Sequence, residues 1–444
     1  MYGCQQNLIS PDKDLKAVLE FLCSEASKLI NGGVYYSRQV FFKTGKVPNR
    51  AKLHKVLGTE NQNIHYKAFY SDTAQQILTS VAESFSSYLG LLTGLKEGTV
   101  TQRPRLPGYR QGGLALVTFT GRSVKLKNGM LRFPLGKQVK AWFGIDAFYL
   151  AMPSNLDHSS IREYRILPRN GCFYLELVYQ KQAVQSSVTV NSVLMIDHGM
   201  DNWITCVSNI GTSFIVDGRH LKSINQGYNK QVATLMSGQD NGFWPKRLER
   251  LTENRNRTMR DAVNKAARKV INHCVSSQIG TVIFGWNKNQ KNSINLGTKT
   301  NQKFVQIPTG RLKDRIAQLC EQYGIKFVET EESYTSKTSF LDGDELPKIG
   351  EKPEWWKASG TRVKRGLYRT ANGWLINADC NGCANIGQKV ATILGIDLSG
   401  VGRGDLSAPV RLKLWSYESP SMKGLGRCQG NRTYTASNKK QELR

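Results

Sequence analysis

The order of strand-like and helix-like segments between residues 190 and 395 constrains the fold more than any other feature of the chain. Three apolar strand patterns come first and form a meander, a long basic helix pattern follows at about 222–277, and strands and helices then alternate. The segments are SVLMIDHG, ITCVSN, SFIVDG, the basic helix, TVIFG, GRLKDRIAQLCEQYG, IKFVET and NGCANIGQKVATILG. This alternation predicts an α/β layer fold, in which helices cover a central sheet.

Two aspartates lie where such folds place functional groups. Asp197 ends the first strand and Asp379 begins the last helix. Sites in α/β proteins lie at the carboxyl ends of strands, although each aspartate alone equally fits a helix cap. Together, in the order β-β-β-α-β-α-β-α, they predict an RNase H-like layout with a metal-dependent nuclease site. Such a site usually takes a third carboxylate from the strand that ends at Gly285, yet TVIFGWNKNQ (281–290) contains none.

The charge balance of the chain favours a nucleic-acid partner. Its 444 residues include 62 Lys and Arg against 34 Asp and Glu, a net charge of +28 that is spread along the sequence. Each phosphate that a cation neutralises releases counterions, so this excess favours RNA or DNA. No apolar run reaches the ~18 residues of a membrane span, no signal peptide opens the chain, and nine scattered cysteines fit a reducing cytosol. We therefore expect no membrane association.

Candidate phosphate contacts lie in the loop TVTQRPRLPGYRQGG (99–113), at the start of the basic helix, and in TRVKRGLYRT (361–370). For the last stretch a solvated basic loop is an equal alternative. The candidates are Arg103, Arg105, Arg110, Lys222, Arg362, Lys364, Arg365 and Arg369.

The rest of the chain divides by pattern. Residues 11–100 have helical spacing, with a first helix predicted to stop at Gly32, and residues 115–180 have a β pattern with a hairpin signal at residues 127–129. The β pattern predicts a small basic β-barrel or sandwich. From Ser399 onward, basic residues are mixed with many Gly, Ser and Asn, which predicts a segment that is poorly ordered unless RNA holds it.

Several ordered motifs resemble one family. LMIDHGMDN…SFIVDGRHLKSINQGYNKQVATL resembles the first RuvC motif and following helix of the TnpB proteins, the OrfB-type proteins of bacterial insertion sequences. NQKFVQIPTGRLKDRIAQLCEQYGIKFVETEESYTSKTSF resembles their second-motif region, and KRGLYR with INADCNGCANIG resembles the third. The resemblance covers roughly residues 100–395.

This resemblance implies an RNA-guided DNA endonuclease, a compact relative of type V CRISPR effectors. It implies a β-barrel wedge domain (1–10 and 101–185), a helical recognition domain (11–100), a RuvC-like nuclease domain (190–395) and a basic tail (399–444). The expected partners are a guide RNA from the protein's own element and a double-stranded DNA target, in the bacterial cytoplasm at the nucleoid. The expected cofactors are two Mg²⁺ or Mn²⁺ ions. The choice between monomer and dimer stays open.

The chain departs from the family pattern at the zinc ribbon. Family members usually carry two CxxC pairs between the second and third motifs, whereas residues 338–376 contain no cysteine. The CxxC of Cys380 and Cys383 has no partner pair, and a structural zinc site needs four ligands. We therefore expect no zinc, and we interpret the two cysteines as small core residues.

The second departure is the missing second-motif glutamate, whose position corresponds to Gly285. FVETEESYTS offers Glu329, Glu331 and Glu332 at the end of the next strand, about 4.8 Å away across a sheet. The metal ligands are then Asp197, Asp379 and one glutamate, with Glu331 preferred over Glu332 because adjacent side chains on a strand face opposite ways. Asp201 and Glu329 are the next candidates. An exposed acidic turn beside a vacant metal site is the alternative.

Three functions follow from these readings. The first is a metal-dependent, RNA-guided endodeoxyribonuclease. The second is a guided DNA-binding protein that has lost cleavage and acts as a repressor. The third is a transposase that performs strand chemistry itself, which ranks last because the chain lacks the His-rich and tyrosine-nucleophile pattern of single-strand transposases. Composition and motifs identify neither the guide sequence nor the target-adjacent motif.

Overall fold

The computed structural model describes residues 2–60, 63–184, 186–239, 244–287, 307–348 and 350–415. The helical region contains α1 (Lys13–Thr44), α2 (Arg50–His54), α3 (Ile64–Lys67) and α4 (Ser71–Lys96). Helix α1 continues past Gly32, so the predicted stop there was wrong. The next residue, Gly33, lies against α4, where an added Cβ would be 3.2 Å from Leu78 and 3.3 Å from Val81. Gly33 therefore lets two helices approach closely, and the helix does not end there.

Two antiparallel sheets follow. Their elements are β1 (Tyr2–Ile9), β2 (Val117–Thr120), β3 (Lys125–Lys127), β4 (Met130–Pro134), α5 (Lys137–Phe143), β5 (Ala147–Ala151), β6 (Ile161–Arg169) and β7 (Cys172–Gln180). The strand orders are β1-β7-β6-β2 and β3-β4-β5. The described strands thus form two sheets, of four and three strands, around an aromatic core that includes Phe119, Phe133 and Tyr164. The predicted hairpin is confirmed, with positive φ at both Asn128 and Gly129.

A six-stranded mixed sheet carries the predicted α/β region. Its strands, in spatial order, are β12 (Lys326–Thr330), β11 (Ile279–Gly285), β8 (Thr189–His198), β9 (Asn202–Ser208), β10 (Ser213–Asp217) and β16 (Val410–Leu412). The meander of β8, β9 and β10 is antiparallel, whereas β8, β11 and β12 run parallel. The strand and helix order read from residues 190–395 is therefore confirmed.

Helices cover both faces of this sheet. They are α6 (Arg219–Met236), α7 (Lys246–Ser276), α8 (Thr309–Gln322), α9 (Ala378–Leu394) and α10 (Arg403–Ser407). Leu194 and Ile196 of β8 pack into the core beneath α7 and α8, while Val193 and Met195 pack beneath α9. This alternation follows from the two-residue period of a strand. Residues 361–377 add a small sheet of β13 (Thr361–Lys364), β14 (Leu367–Arg369) and β15 (Leu375–Asn377).

Two expectations about this region were wrong. The basic helix predicted at about 222–277 is two helices, and a left-handed Gly238 follows the first while Pro245 is the N-cap of the second. The segment from Ser399 to Trp415 is part of the folded structure, because β16 extends the sheet beside β10 and Leu406 and Leu414 are buried in the two cores. The remainder of the predicted tail, 416–444, lies outside the described residues.

Within the described ranges, no helix is both long and apolar enough to cross a membrane.

Candidate active site at the carboxyl edge of the sheet

Three parallel strands end together at one edge of the six-stranded sheet. Ile196 of β8 pairs with Phe284 of β11, and Gly285 of β11 pairs with Thr330 of β12. Asp197 therefore lies near the end of β8 beside Gly285, and Glu331 and Glu332 follow β12 on the other side. The sheet register brings together the strand ends that the sequence pattern singled out.

The Gly285 position has no room for a longer side chain. A Cβ added there would lie 2.5 Å from Ile386 Cδ1 of α9 and 3.3 Å from Glu332 Oε2. The Glu332 carboxylate thus reaches from the neighbouring turn to the place where a strand-end glutamate would begin.

Glu331 and Glu332 face opposite ways, as expected for adjacent residues. Glu332, and not the preferred Glu331, is the one that lies beside Gly285. Glu331 forms an ion pair with Lys389 and accepts a hydrogen bond from the Ser333 backbone N–H at 2.6 Å. Burial raises the pKa of Glu331, but the bonds from Lys389 and Ser333 outweigh it and leave that pKa below its usual value. Glu332, with a side chain only 13% exposed, is the one beside Gly285.

At this edge of the sheet, neighbouring carboxylates act on one another through their negative charges. Burial, followed by the negative charge of Glu331, raises the pKa of Glu332 to about 7. Burial also raises the pKa of Asp197 well above its usual value, and the charges of Glu332 and Asp379 raise it further. Asp197, Glu332 and Asp379 therefore share a region of negative potential, which the positive charge of Arg362 offsets in part.

Helix α9 supplies Asp379 and packs directly against Asp197. The N-cap of α9 is Asn377, whose side chain accepts from the backbone N–H groups of Asp379 and Cys380, so Asp379 is free of that capping role. Its Oδ2 accepts a 2.6 Å hydrogen bond from Asn202 Nδ2, and Arg362 Nη2 lies 3.5 Å from its Oδ1. One turn along, a Cβ on Gly382 would lie 3.4 Å from Asp197 Oδ2.

The turn that carries Glu332 is bound tightly to α9. Asn385 Nδ2 donates to the carbonyl oxygens of Thr335 and Thr338, at 2.9 and 2.7 Å, and Asn381 Nδ2 donates to Thr338 at 2.7 Å. Tyr334 has a φ of 67°, a conformation that costs energy in a tyrosine and persists where its surroundings impose it. The sequence analysis missed both asparagines; their four-residue spacing, which puts them on one helix face, was the available signal.

The donor set of this edge fits a divalent cation by chemistry and charge. Carboxylate oxygens are the hard ligands that Mg²⁺ prefers. Burial, followed by the charges of Glu332 and Asp379, raises the pKa of Asp197, and a cation would relieve the repulsion between these carboxylates. In the part of the chain that the structure describes, no three His, Cys, Asp or Glu side chains are gathered closely enough to hold an ion directly.

The remaining acidic candidates have other partners. Asp201 accepts from Lys222 at 2.9 Å and lies 2.6 Å from Arg365, and the Lys222 hydrogen bond is the main reason why its pKa is lowered. Glu329 pairs with Lys313. His198 packs its ring near Trp286, and its Nε2 lies 3.8 Å from Glu332 Oε1.

The predicted basic residues differ in their contacts. Lys222, Arg362 and Arg365 form ion pairs with Asp201 or Asp379, although the side chains of Arg362 and Arg365 stay 44% and 72% exposed. The other candidates are also exposed: Arg103, Arg105, Arg110, Lys364 and Arg369.

A larger basic cleft, missed by the sequence analysis, lies between the β1-β7 sheet and the helices α7 and α8. It has a volume of about 850 Å³ and continues into a second cavity of about 640 Å³. Burial lowers the pKa of Arg255, and the charge of Arg311 lowers it further; Arg315 is affected in the same way by burial and Arg268. The arginines that line the two cavities are Arg169, Arg255, Arg257, Arg260, Arg311 and Arg315.

The CxxC cysteines are core residues, as interpreted from the sequence. Cys380 and Cys383 are fully buried residues of α9, and Cys383 Sγ donates to the Met195 carbonyl at 3.0 Å. Burial raises the pKa of Cys383 well above its usual value, which disfavours the thiolate that binds metal. The expected absence of zinc stays a prediction.

Comparisons with known proteins agree with this architecture. The family model OrfB_IS605, described as a probable transposase, matches residues 176–290, and the model Cas12f1-like, TNB domain matches residues 310–386. The TnpB-like protein ORF457 of Acidianus two-tailed virus is 23% identical over 419 residues, which cover 85% of this chain and 84% of that protein.

Solved structures are similar at the level of the fold. A Cas12f1–sgRNA–target DNA complex matches with a TM-score of 0.51 and 15% identity, covering 84% of this chain and 83% of that one. The mini-RNA-guided endonuclease CRISPR-Cas_phi3 matches with a TM-score of 0.46 and 9% identity, covering 92% and 94%.

The fold is thus a mixed α/β structure that is similar to the fold of the Cas12f1 chain in its complex with sgRNA and target DNA. Two regions of the chain match family models of the OrfB and Cas12f1-like types, and the chain is similar to a TnpB-like protein over most of its length.

Proposed function

We propose that this protein is an RNA-guided DNA endonuclease of an insertion sequence, which hydrolyses target DNA with divalent metal ions held by Asp197, Glu332 and Asp379. The observation that carries the proposal is the Glu332 carboxylate, 3.3 Å from the Cβ position of Gly285. The end of β11 has no carboxylate, and the Glu332 carboxylate from the adjacent turn lies next to that position. In this proposal Glu332 replaces Glu331 as the third ligand.

The chain's own residues hold and orient the acidic groups. Asp197 ends a central strand and lies against the backbone of α9 at Gly382, so its position is rigid. Asn202 fixes one oxygen of Asp379. Bound Mg²⁺ or Mn²⁺ would polarise the scissile phosphate and activate the attacking water. A protein that holds three carboxylates on rigid elements supplies the orientation on which such chemistry depends.

The nucleic-acid partners are proposed from charge and family. The similar Cas12f1 structure was determined as a complex with sgRNA and target DNA. In this chain, the basic cleft beside α7 and α8 and the exposed arginines of residues 103–110 are the surfaces proposed to hold RNA phosphates. Arginine suits this task because its planar guanidinium binds phosphate oxygens in pairs.

We also propose the domain division: a wedge domain of residues 1–10 and 101–185, a recognition domain of 11–100, and a nuclease domain from 190. The end of the nuclease domain moves from 395 to 415, because β16 belongs to its sheet.

The test compares wild-type protein with Glu332→Gln and Glu331→Gln, each carrying guide RNA transcribed from the flanking element and given matched target DNA with Mg²⁺. Glu332→Gln removes one charge from the coupled carboxylates and should slow cleavage at least about 100-fold, a loss of about 2.7 kcal/mol of transition-state stabilisation. Glu331→Gln, the matched control on the same turn, should cleave within a few-fold of wild type.

RNA binding by all three proteins should be equal, since neither glutamate lies in the basic cleft. A wild type that binds guide and target but cuts nothing in Mg²⁺ or Mn²⁺ would replace this proposal with a guided DNA-binding function. Equal loss in both variants would contradict the assignment of Glu332.

A further inference from the structure

Asn287 is a polar residue whose side-chain oxygen and nitrogen both bond to the candidate third ligand. It follows Gly285 by two residues, just beyond the end of β11. Its Oδ1 accepts a hydrogen bond from the Glu332 backbone N–H at 3.1 Å, and its Nδ2 donates to Glu332 Oε1 at 3.3 Å. One side chain therefore holds both the backbone and the carboxylate of the same residue.

The position of Asn287 is itself fixed by the sheet. The backbone N–H of Trp286 donates to the Thr330 carbonyl at 2.8 Å, which continues the β11-β12 pairing one residue past the last ladder pair. Lys313 lies 5.3 Å over the Trp286 ring. Asn287 thus links a rigid strand end to the turn that carries Glu332.

The two hydrogen bonds also distinguish the two oxygens of the carboxylate. Oε1 receives Asn287 Nδ2 and lies 3.8 Å from His198 Nε2, whereas Oε2 is the atom nearest to the Gly285 position. A glutamate on a turn has three rotatable side-chain bonds and loses considerable rotamer entropy when it is held in one orientation. Without Asn287, the repulsion from Asp197 and Glu331 would favour rotation of the carboxylate away from the edge.

We propose that Asn287 is a positioning residue: it replaces the rigidity that a strand-borne glutamate would have, by clamping the turn-borne Glu332 to the end of β11. The inference rests on the proposed function. It adds that the loss of a carboxylate at Gly285 is compensated by a pair, Glu332 with Asn287, rather than by Glu332 alone.

Amide hydrogen exchange in metal-free protein tests the clamp independently of activity. The Glu332 N–H donates to Asn287, so Asn287→Ala should speed exchange in a peptide containing residues 331–334 by about tenfold or more. Lys389→Met is the matched control, because it removes the partner of the neighbouring Glu331 and leaves the Asn287 bonds in place. It should leave the Glu332 amide unchanged.

Single-turnover cleavage at varied Mg²⁺ gives the second readout. Loss of a residue that orients a metal ligand costs about 10- to 100-fold in metal affinity or rate, so Asn287→Ala should require correspondingly more Mg²⁺ for half-maximal cleavage. Asn287→Asp keeps the acceptor for the backbone N–H but places a negative oxygen beside Glu332 Oε1. It should retain amide protection and still lose cleavage, which a merely structural role would not produce.

The outcomes separate this inference from the proposed function. If wild type cuts, Glu332→Gln does not, and Asn287→Ala matches wild type in Mg²⁺ requirement, then the inference is wrong while the proposed function stands. Unchanged amide exchange in Asn287→Ala would also overturn it. If wild type fails to cut with its guide, both fall together.

Discussion

Restoring a glutamate at Gly285 should fail to rescue the Glu332→Gln enzyme, because Ile386 occupies the required space. The Cβ of the new side chain would lie 2.5 Å from Ile386 Cδ1 and 3.2 Å from Cγ1, well inside van der Waals contact. Overpacking of this kind costs about 1–3 kcal/mol. For a nuclease domain of this size, that corresponds to a fall in Tm of about 2–12 °C.

Charge is the second reason why a glutamate at residue 285 should be unfavourable. In the otherwise wild-type protein, a carboxylate at residue 285 would enter a region where burial and neighbouring acids already raise the pKa of both Asp197 and Glu332. Gly285→Ala tests the steric part alone. Since the atom it meets is the flexible end of Ile386, that variant should cost less than about 1 kcal/mol.

Replacing Ile386 by a smaller residue should allow a glutamate at residue 285 to restore cleavage. Adding Ile386→Ala to Gly285→Glu and Glu332→Gln opens space on α9 next to β11, so the triple variant should regain measurable cleavage. Ile386→Ala alone should cost about 2–5 kcal/mol as a buried large-to-small change. Thermal unfolding and single-turnover cleavage are the assays. Rescue by Gly285→Glu without the Ile386 change, at wild-type stability, would refute the steric argument.

Two further predictions concern the C-terminal segment and the basic cleft. A chain ending at Trp415 should keep wild-type Tm, whereas one ending at residue 398 should unfold cooperatively only at much lower temperature or not at all. The shorter chain loses β16 and the buried Val401, Leu406 and Leu414, each worth about 1.5–3 kcal/mol. Equal stability of the two truncations would contradict the assignment of β16 to the sheet. Arg311→Ala should weaken guide-RNA binding and lower the slope of log affinity against log salt by about 1, measured by filter binding at several salt concentrations, with the exposed Arg122→Ala as a control whose slope should match wild type.

The sequence by itself determined the order of elements and two of the three carboxylates that we propose as metal ligands. Apolar runs with strand spacing and basic amphipathic runs with helical spacing are local properties, so β8 to β12 and α9 could be read directly. Asp197 and Asp379 were found because strand ends and helix starts are marked by the same patterns. Asn128 with Gly129 identified its hairpin because a two-residue turn depends on the residues within it.

The tertiary structure decided the features that depend on contacts with residues distant in the chain. Glu331 and Glu332 are adjacent and identical in type, and only the presence of Lys389 on one side and Asn287 on the other assigns their directions. The sequence at Gly32 and Gly33 indicates the end of a helix, whereas in the structure α1 continues and α4 packs against Gly33.

The segment after Ser399 has a composition typical of disorder, yet an open sheet edge beside β10 gives three of its residues, 410–412, hydrogen-bonding partners. Sequence patterns report the preference of a segment for a conformation, whereas the direction of a side chain and the use of a sheet edge are set by neighbours that are distant in the chain.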